Sequence, residues 1–232
     1  MRPELDRLDS PTTGYWDPHF LVHRRLFEAL THAAQFAQGN LLDIGCGNKP
    51  YETLFRPWIK TYVGCDVAQS GLHRVDMISD ATAVPLPDES VDTVLSTQTI
   101  EHVTDPRALL AESCRLLRAG GVLILSGPMY WCLHEEPYDF FRFTAHGLRH
   151  LLATTGFEVV DLKANGGCWS VCGLALIHAL QTTRLRSRKL LCLINWLFSK
   201  LDDRNQSPLN TSNYLVIARK ASGQELGLAA AK

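Results

Sequence analysis

Leu41-Leu42-Asp43-Ile44-Gly45-Cys46-Gly47 is the stretch on which the fold of this chain turns. An apolar run that ends in Gly-x-Gly predicts a buried strand turning sharply into a helix. Glycines there reach backbone conformations closed to residues with a Cβ and let a ligand come close, while the helix that follows presents unpaired N–H groups. A nucleoside-like ligand is expected at this turn. Asp43 is the odd residue in an apolar strand, and Asp66 closes the next one, Tyr62-Val63-Gly64-Cys65-Asp66. An acid about twenty residues beyond the glycines is placed to accept both ribose hydroxyls.

The flanking segments alternate between strand and helix patterns. Strands are expected at 41–44, 61–66, 91–96, 121–126, 157–162 and 214–218, and helices at 19–37, near 50–57, at 105–118 and from Thr144 to Gly156. Such alternation predicts a parallel sheet covered by helices. Asp105-Pro106 marks a helix start and Gly120-Gly121 its end. Residues 1–38 are read as an arm and helix that cap the substrate, 39–220 as the main domain, and 221–232 as a disordered tail. Asn165-Gly166-Gly167 opens an insertion at about 165–210 containing two apolar helical segments.

At 232 residues and 46% hydrophobic, the chain can bury one substantial core, so a second full domain is not expected. A net charge of −1 supplies no global basic field, and nucleic acid is not an expected partner. Seven cysteines without metal-type pairing, and a charged Met1–Asp9 unlike a signal peptide, point to a reducing cytoplasm. The most apolar stretch, 171–180, is about half the length of a bilayer crossing. Cys46, Cys168 and Cys172 read as packing residues. Arg184, Arg186, Arg188 and Lys189 precede Leu190, Leu193, Ile194 and Leu197. That pattern is compatible with an anionic membrane surface or a lipid-linked substrate, with core packing or a homodimer interface as the plainer explanations.

Pro50 stands where a dinucleotide-binding fingerprint has its third glycine, the residue that packs helix against strand. The segment instead resembles motif I of the class I S-adenosylmethionine (SAM)-dependent methyltransferases. The resemblance continues through Asp66, Asp80-Ala81, Val84-Pro85-Leu86-Pro87-Asp88, Val91-Asp92-Thr93-Val94-Leu95 and Ile100-Glu101-His102-Val103. It covers residues 39 to 165 and resumes at the last strand. It implies an α/β, Rossmann-like fold: a mostly parallel seven-stranded sheet with an antiparallel last strand, here with a helical insertion before that strand. SAM is the implied cofactor. Asp43 and the Gly45, Cys46 and Gly47 backbone would line its methionine half, Asp66 and Val67 the ribose and adenine, and Asp80 with Ala81 the adenine amino group. Thr97 and Gln98, at the carboxyl end of the fourth strand, would face the sulfonium. His102 would lie beside the cofactor at a helix start, or would satisfy backbone groups.

His134-Glu135-Glu136-Pro137-Tyr138-Asp139-Phe140-Phe141-Arg142-Phe143-Thr144 packs acids, a base, a guanidinium and aromatics into one loop after the fifth strand. It resembles the loop of a bacterial, methyltransferase type 11-like subgroup associated with saccharide or other secondary-metabolic pathways. His134 is the candidate base, Glu135 its orienter, and Tyr138 and Arg142 the groups to hold an acceptor. Asp139 counts with them as a catalytic candidate, although Asp139 and Arg142, three apart, also read as a structural ion pair. No metal is expected, because His134, Glu135 and Asp139 match no established ligand spacing. Methyl transfer to a small-molecule acceptor follows, with O-methylation favoured and a saccharide, secondary metabolite or lipid-linked compound as acceptor. Ser96-Thr97-Gln98-Thr99 lacks the Asn/Asp-Pro-Pro-aromatic signature of amino-group methylation. A nicotinamide-dependent oxidoreductase and a non-catalytic SAM-binding partner subunit are the rival readings.

Overall fold

The computed structural model describes residues 8–11, 13–183, 187–205, 207 and 209–221. Arg184, Arg186 and nearly all of the tail expected to be disordered lie outside them. Seven strands form one sheet: β1 (Asn40–Ile44), β2 (Thr61–Asp66), β3 (Met77–Ile78), β4 (Val91–Thr97), β5 (Leu117–Pro128), β6 (Phe157–Asn165) and β7 (Asn213–Lys220). Their order is β3-β2-β1-β4-β5-β7-β6. β7 lies antiparallel to both β5 and β6, and the other pairings are parallel. This is the expected α/β, Rossmann-like architecture.

Both faces of the central strands are covered, which explains their unbroken apolar runs. Leu42 and Ile44 of β1, with Leu123 and Leu125 of β5, pack beneath α3 (Pro106–Leu116) and α4 (Ala145–Thr154). Leu41, Val122 and Ile124 point the other way, onto Leu26, Leu30 and Ala33 of α1 (Phe20–Ala33) and onto Phe55 of the short α2 (Glu52–Phe55). The two-residue period of a strand thus divides one sequence run between two cores. α5 (Cys168–Gln181) and α6 (Arg188–Arg204) fill the insertion between β6 and β7. Leu174, Ile177 and Ile194 of this pair meet Phe20, Leu21 and Val22 in a third cluster. α1 therefore belongs to the sheet core by its carboxyl half and to the helical insertion by its amino half.

Several elements differ from the sequence reading; the helix expected at 19–37, for one, ends at Ala33 and is followed by a 3-10 turn at Ala34–Phe36. The helix expected at 105–118 stops at Leu116, because Leu117 turns to extended backbone (φ −71°, ψ 137°) and pairs with Val91 while its side chain enters the core. The helix expected near 50–57 is α2 followed by a 3-10 turn at Arg56–Trp58. β3 was not anticipated. Asp105 caps α3 by accepting the Arg107 and Ala108 amides at 3.0 and 3.2 Å. Arg115 of the same helix donates to the carbonyls of Val84 (3.0 Å) and Leu86 (2.9 Å), pinning the proline-rich segment 84–88 to α3. No helix among the described residues is long and apolar enough to cross a membrane.

Candidate cofactor and acceptor site

β1, β2 and β4 end at one edge of the sheet, and the turns leaving them wall a cavity of about 310 Å³. Gly45, Asp66, Val67, Asp80, Ala81 and Gln98 line it. Gly45 has φ +78°, and a Cβ there would overlap the Thr99 hydroxyl, so this position requires glycine. Asp66, 4% exposed, accepts the Gly47 amide at 3.0 Å through Oδ2 and the Val67 amide at 2.7 Å through Oδ1. The acid at the end of β2 is thereby bound to the glycine turn at the end of β1. Asp80 is exposed and accepts the amide and hydroxyl of Thr82 at 2.8 and 2.7 Å. Gln98, at φ +52°, donates its side-chain amide to Ser126 Oγ (2.9 Å) and Asn213 Oδ1 (3.0 Å).

Asp43 lies behind this wall. Burial pushes its carboxyl up to about 7, against the opposing hydrogen bond that the Tyr62 hydroxyl donates to Oδ2 at 2.6 Å. Its Oδ1 has no hydrogen-bond partner among the described residues. An ammonium group at the glycine turn would satisfy that oxygen, which fits the aminocarboxylate end of SAM. Cys46 is buried, and desolvation raises its thiol pKa far above the ordinary value.

The raised Asp43 value carries a stability prediction. The folded chain holds this proton through the interval in which the unfolded chain releases it, so this contribution to stability is full below about pH 4 and lost as pH rises through about 7. Asp43→Asn keeps an acceptor for Tyr62 and removes the titration. In cofactor-free calorimetric melts its Tm should exceed that of wild type at pH 8, and the difference should vanish by about pH 4. A difference independent of pH would contradict the buried charge.

A second cavity, about 550 Å³, adjoins the first. Leu8 and Asp9 of the arm, His19, Val22 and Leu26 of α1 and its approach, the glycine turn with Thr97, and Trp131, Cys132 and His134 form its walls. Gly45, Gln98, His102 and Glu135 line both cavities, so these four residues mark the junction.

The loop after β5 supplies the polar groups at that junction. Arg142 grips Asp139 with two hydrogen bonds, Nη1 to Oδ1 at 2.6 Å and Nη2 to Oδ2 at 2.7 Å. Burial raises the Asp139 pKa, but this guanidinium outweighs it and holds the carboxyl at about 2. Oδ2 also lies 3.2 Å from His134 Nδ1. A carboxylate only accepts, so Nδ1 carries a proton, and in the neutral ring Nε2 keeps a lone pair. Asp139, rather than Glu135, is the acid beside His134 Nδ1. Glu135 Oε2 instead stands 4.0 Å from His102 Nε2, while His102 Nδ1 donates to the Tyr138 carbonyl at 2.8 Å. His102 sits on a 3-10 turn, Ile100–His102, where the resemblance implied a helix start. Arg142 is engaged by Asp139 and by the carbonyls of Trp131 and Cys132, and it lines neither cavity. Tyr138 lines the first cavity only.

Sequence reasoning missed Glu101, His19 and Trp131. Glu101 is 1% exposed, and burial drives its carboxyl up to about 8. Its place beside His102 was the available signal. The rings of His19 and Trp131, tilted by 58°, meet with centroids 5.2 Å apart in the wall of the second cavity, a contact between distant segments that no local pattern announces.

The fold and the cavity walls define a nucleoside-binding α/β enzyme of the methyltransferase kind. Residues 42–125 match the methyltransferase domain family. A Mycolicibacterium smegmatis protein described as a probable S-adenosylmethionine-dependent methyltransferase is 31% identical over 72% of this chain and 67% of its own. The chain belongs to the SAM-dependent methyltransferases, and SAM is its cofactor. It spans 60% of the length of a further such relative, from Mycobacterium tuberculosis, at 28% identity. The ubiquinone biosynthesis O-methyltransferase of Dinoroseobacter shibae is 28% identical over 69% of this chain and 84% of its own. The fold is shared with a SAM-dependent methyltransferase from Archaeoglobus fulgidus, with TM-score 0.56 and 21% identity over 86% of this chain and 93% of that one.

Proposed function

We propose that this chain methylates an oxygen of a small-molecule acceptor bound in the second cavity. The observation that carries this reading is the junction: a cavity walled by Asp66, Asp80 and Gly45 adjoins, at Gln98 and His102, one walled by Trp131 and His134. Bound SAM supplies an electrophilic methyl group on a sulfonium. Asp66 would hold its ribose, Asp80 and Ala81 its adenine, and Asp43 and the glycine turn its aminocarboxylate. In-line displacement demands chiefly alignment, which rigid walls at the strand ends provide. A hydroxyl acceptor must also lose a proton, and the lone pair on His134 Nε2 supports that residue in activating it. Trp131 and His19 offer flat apolar faces to the acceptor body, a role proposed for them in place of Arg142. O-methyltransferases among the relatives favour oxygen over nitrogen. Leu193, Trp196 and Leu197 are exposed on α6, which supports contact of that helix with an apolar surface.

The test is incubation with methyl-labelled SAM and a panel of hydroxylated saccharides, phenols and lipid-linked compounds. With an acceptor found, His134→Ala should lower kcat by about 100-fold. A variant turning over at the wild-type rate would remove His134 from acceptor activation.

A further inference from the structure

We infer that Glu101, His102 and His134 form a binding site for a first-row divalent transition-metal ion at the junction of the two cavities. The inference rests on reading that junction as the place of methyl transfer, and it gives the His134 lone pair a more specific task. A ligand atom on each of the three side chains lies within 4.8 Å of those on the other two. The imidazoles of His102 and His134 meet edge to face, with centroids 4.7 Å apart. Neither carboxylate oxygen of Glu101 reaches a hydrogen-bond partner on another described residue, although the side chain is buried. A buried carboxylate without partners is costly, and a cation is the group that turns it into a favourable one.

Both imidazoles have an acceptor behind Nδ1, as metal-ligating imidazoles commonly do. His102 Nδ1 is committed to the Tyr138 carbonyl at 2.8 Å, and His134 Nδ1 faces Asp139 Oδ2 at 3.2 Å and the Cys132 carbonyl at 3.3 Å. These partners only accept, so each ring presents Nε2 as its lone-pair donor, and an acceptor behind the other nitrogen raises its basicity. The charge of Arg142 is matched by Asp139 and does not oppose a cation. Two imidazoles and one carboxylate suit iron, manganese, cobalt or zinc better than calcium or magnesium, which prefer all-oxygen sites. Metal–ligand bonds of about 2.1 Å bring ligand atoms to roughly 3.0–3.5 Å from one another, so the three side chains would close by about 1 Å on binding. The ligand set differs from the His134, Glu135 and Asp139 suggested by the loop sequence, since Asp139 is taken up by Arg142.

A cation here leaves positions open toward the second cavity and raises the acidity of an acceptor hydroxyl held there. The O–H bond then breaks with its proton passing to the Glu135 carboxylate. The oxygen lone pair forms the new C–O bond while the S–C bond breaks and its electron pair returns to sulfur. His134 serves the cation in this scheme, and Glu135 takes the proton.

The full chain, stripped with EDTA and desalted, is titrated with Co²⁺ and followed by calorimetry and visible absorption. One ion per chain should bind, with a ligand-field band of low-symmetry nitrogen and oxygen coordination. Glu101→Gln and His134→Ala should each weaken that affinity by at least about tenfold and alter the band. His134 is partly exposed, so its variant folds even if the Glu101 variant does not. Absence of stoichiometric binding to wild type, or an affinity and band unchanged in His134→Ala, would overturn the site. The stripped wild-type chain is titrated in parallel with S-adenosylhomocysteine. Failure of that titration strikes the cofactor site itself and is distinguishable from failure of the metal site.

Discussion

Asp202→Ala is expected to lower the melting temperature by about 10 °C. Asp202 is wholly buried and holds two elements at once: Oδ2 accepts Arg25 Nε of α1 at 2.9 Å, and Oδ1 accepts the Ser170 amide in the first turn of α5 at 3.1 Å. Removing one member of a buried ion pair costs about 3–5 kcal/mol, because the partner's charge stays buried. Here Arg25 keeps Glu28 and Asp203, each at 2.9 Å, which places the cost near the lower end. In a chain of this size each kcal/mol corresponds to about 2–4 °C. Asp203, 31% exposed, is the control: Asp203→Ala should cost only about 1 kcal/mol or less. Calorimetric melts that show the two substitutions equally harmful would contradict the assignment of Asp202 as the anchor between α1, α5 and α6.

Asp66→Ala is expected to weaken S-adenosylhomocysteine binding by on the order of a thousandfold, measured by calorimetric titration. Hydrogen bonds to a charged group are worth about 1.5–3 kcal/mol each, and two ribose hydroxyls would lose theirs together. The substitution also releases the amides of Gly47 and Val67, which Asp66 accepts at 3.0 and 2.7 Å, so the glycine turn loses its tie to β2. Asp80→Ala should do much less, about tenfold, because Asp80 is exposed and its carboxylate is shared with Thr82. A loss below about tenfold for Asp66→Ala would sink its role as the ribose clamp.

The central strands were legible because burial on both faces leaves an unbroken apolar run, and Gly45 because its backbone admits no other residue. β3 was not, since two residues carry no period. The end of α3 was misread because Leu117 is as apolar as the helix before it, and its pairing with Val91 decides its conformation. Within the site, Asp66 could be found from spacing along the chain. The placement of Glu135 and Asp139 could not: both are acids within five residues of His134, and only the folded loop brings Asp139, held by Arg142, beside it. Glu101 is read locally as one more charged residue, yet the fold buries it.

The cavity proposed for the acceptor adds the arm, the approach to α1 and the start of the loop after β5 to the glycine turn, whereas the cavity proposed for the nucleoside is built chiefly from turns at the strand ends. On that proposal, substitutions at Leu8, Val22 and Trp131, which line the second cavity alone, should change what is methylated without altering the walls of the first. Gly45, Gln98, His102 and Glu135 have no such freedom, because each lines both cavities. Divergence among relatives with different acceptors should run through the first group and halt at the second.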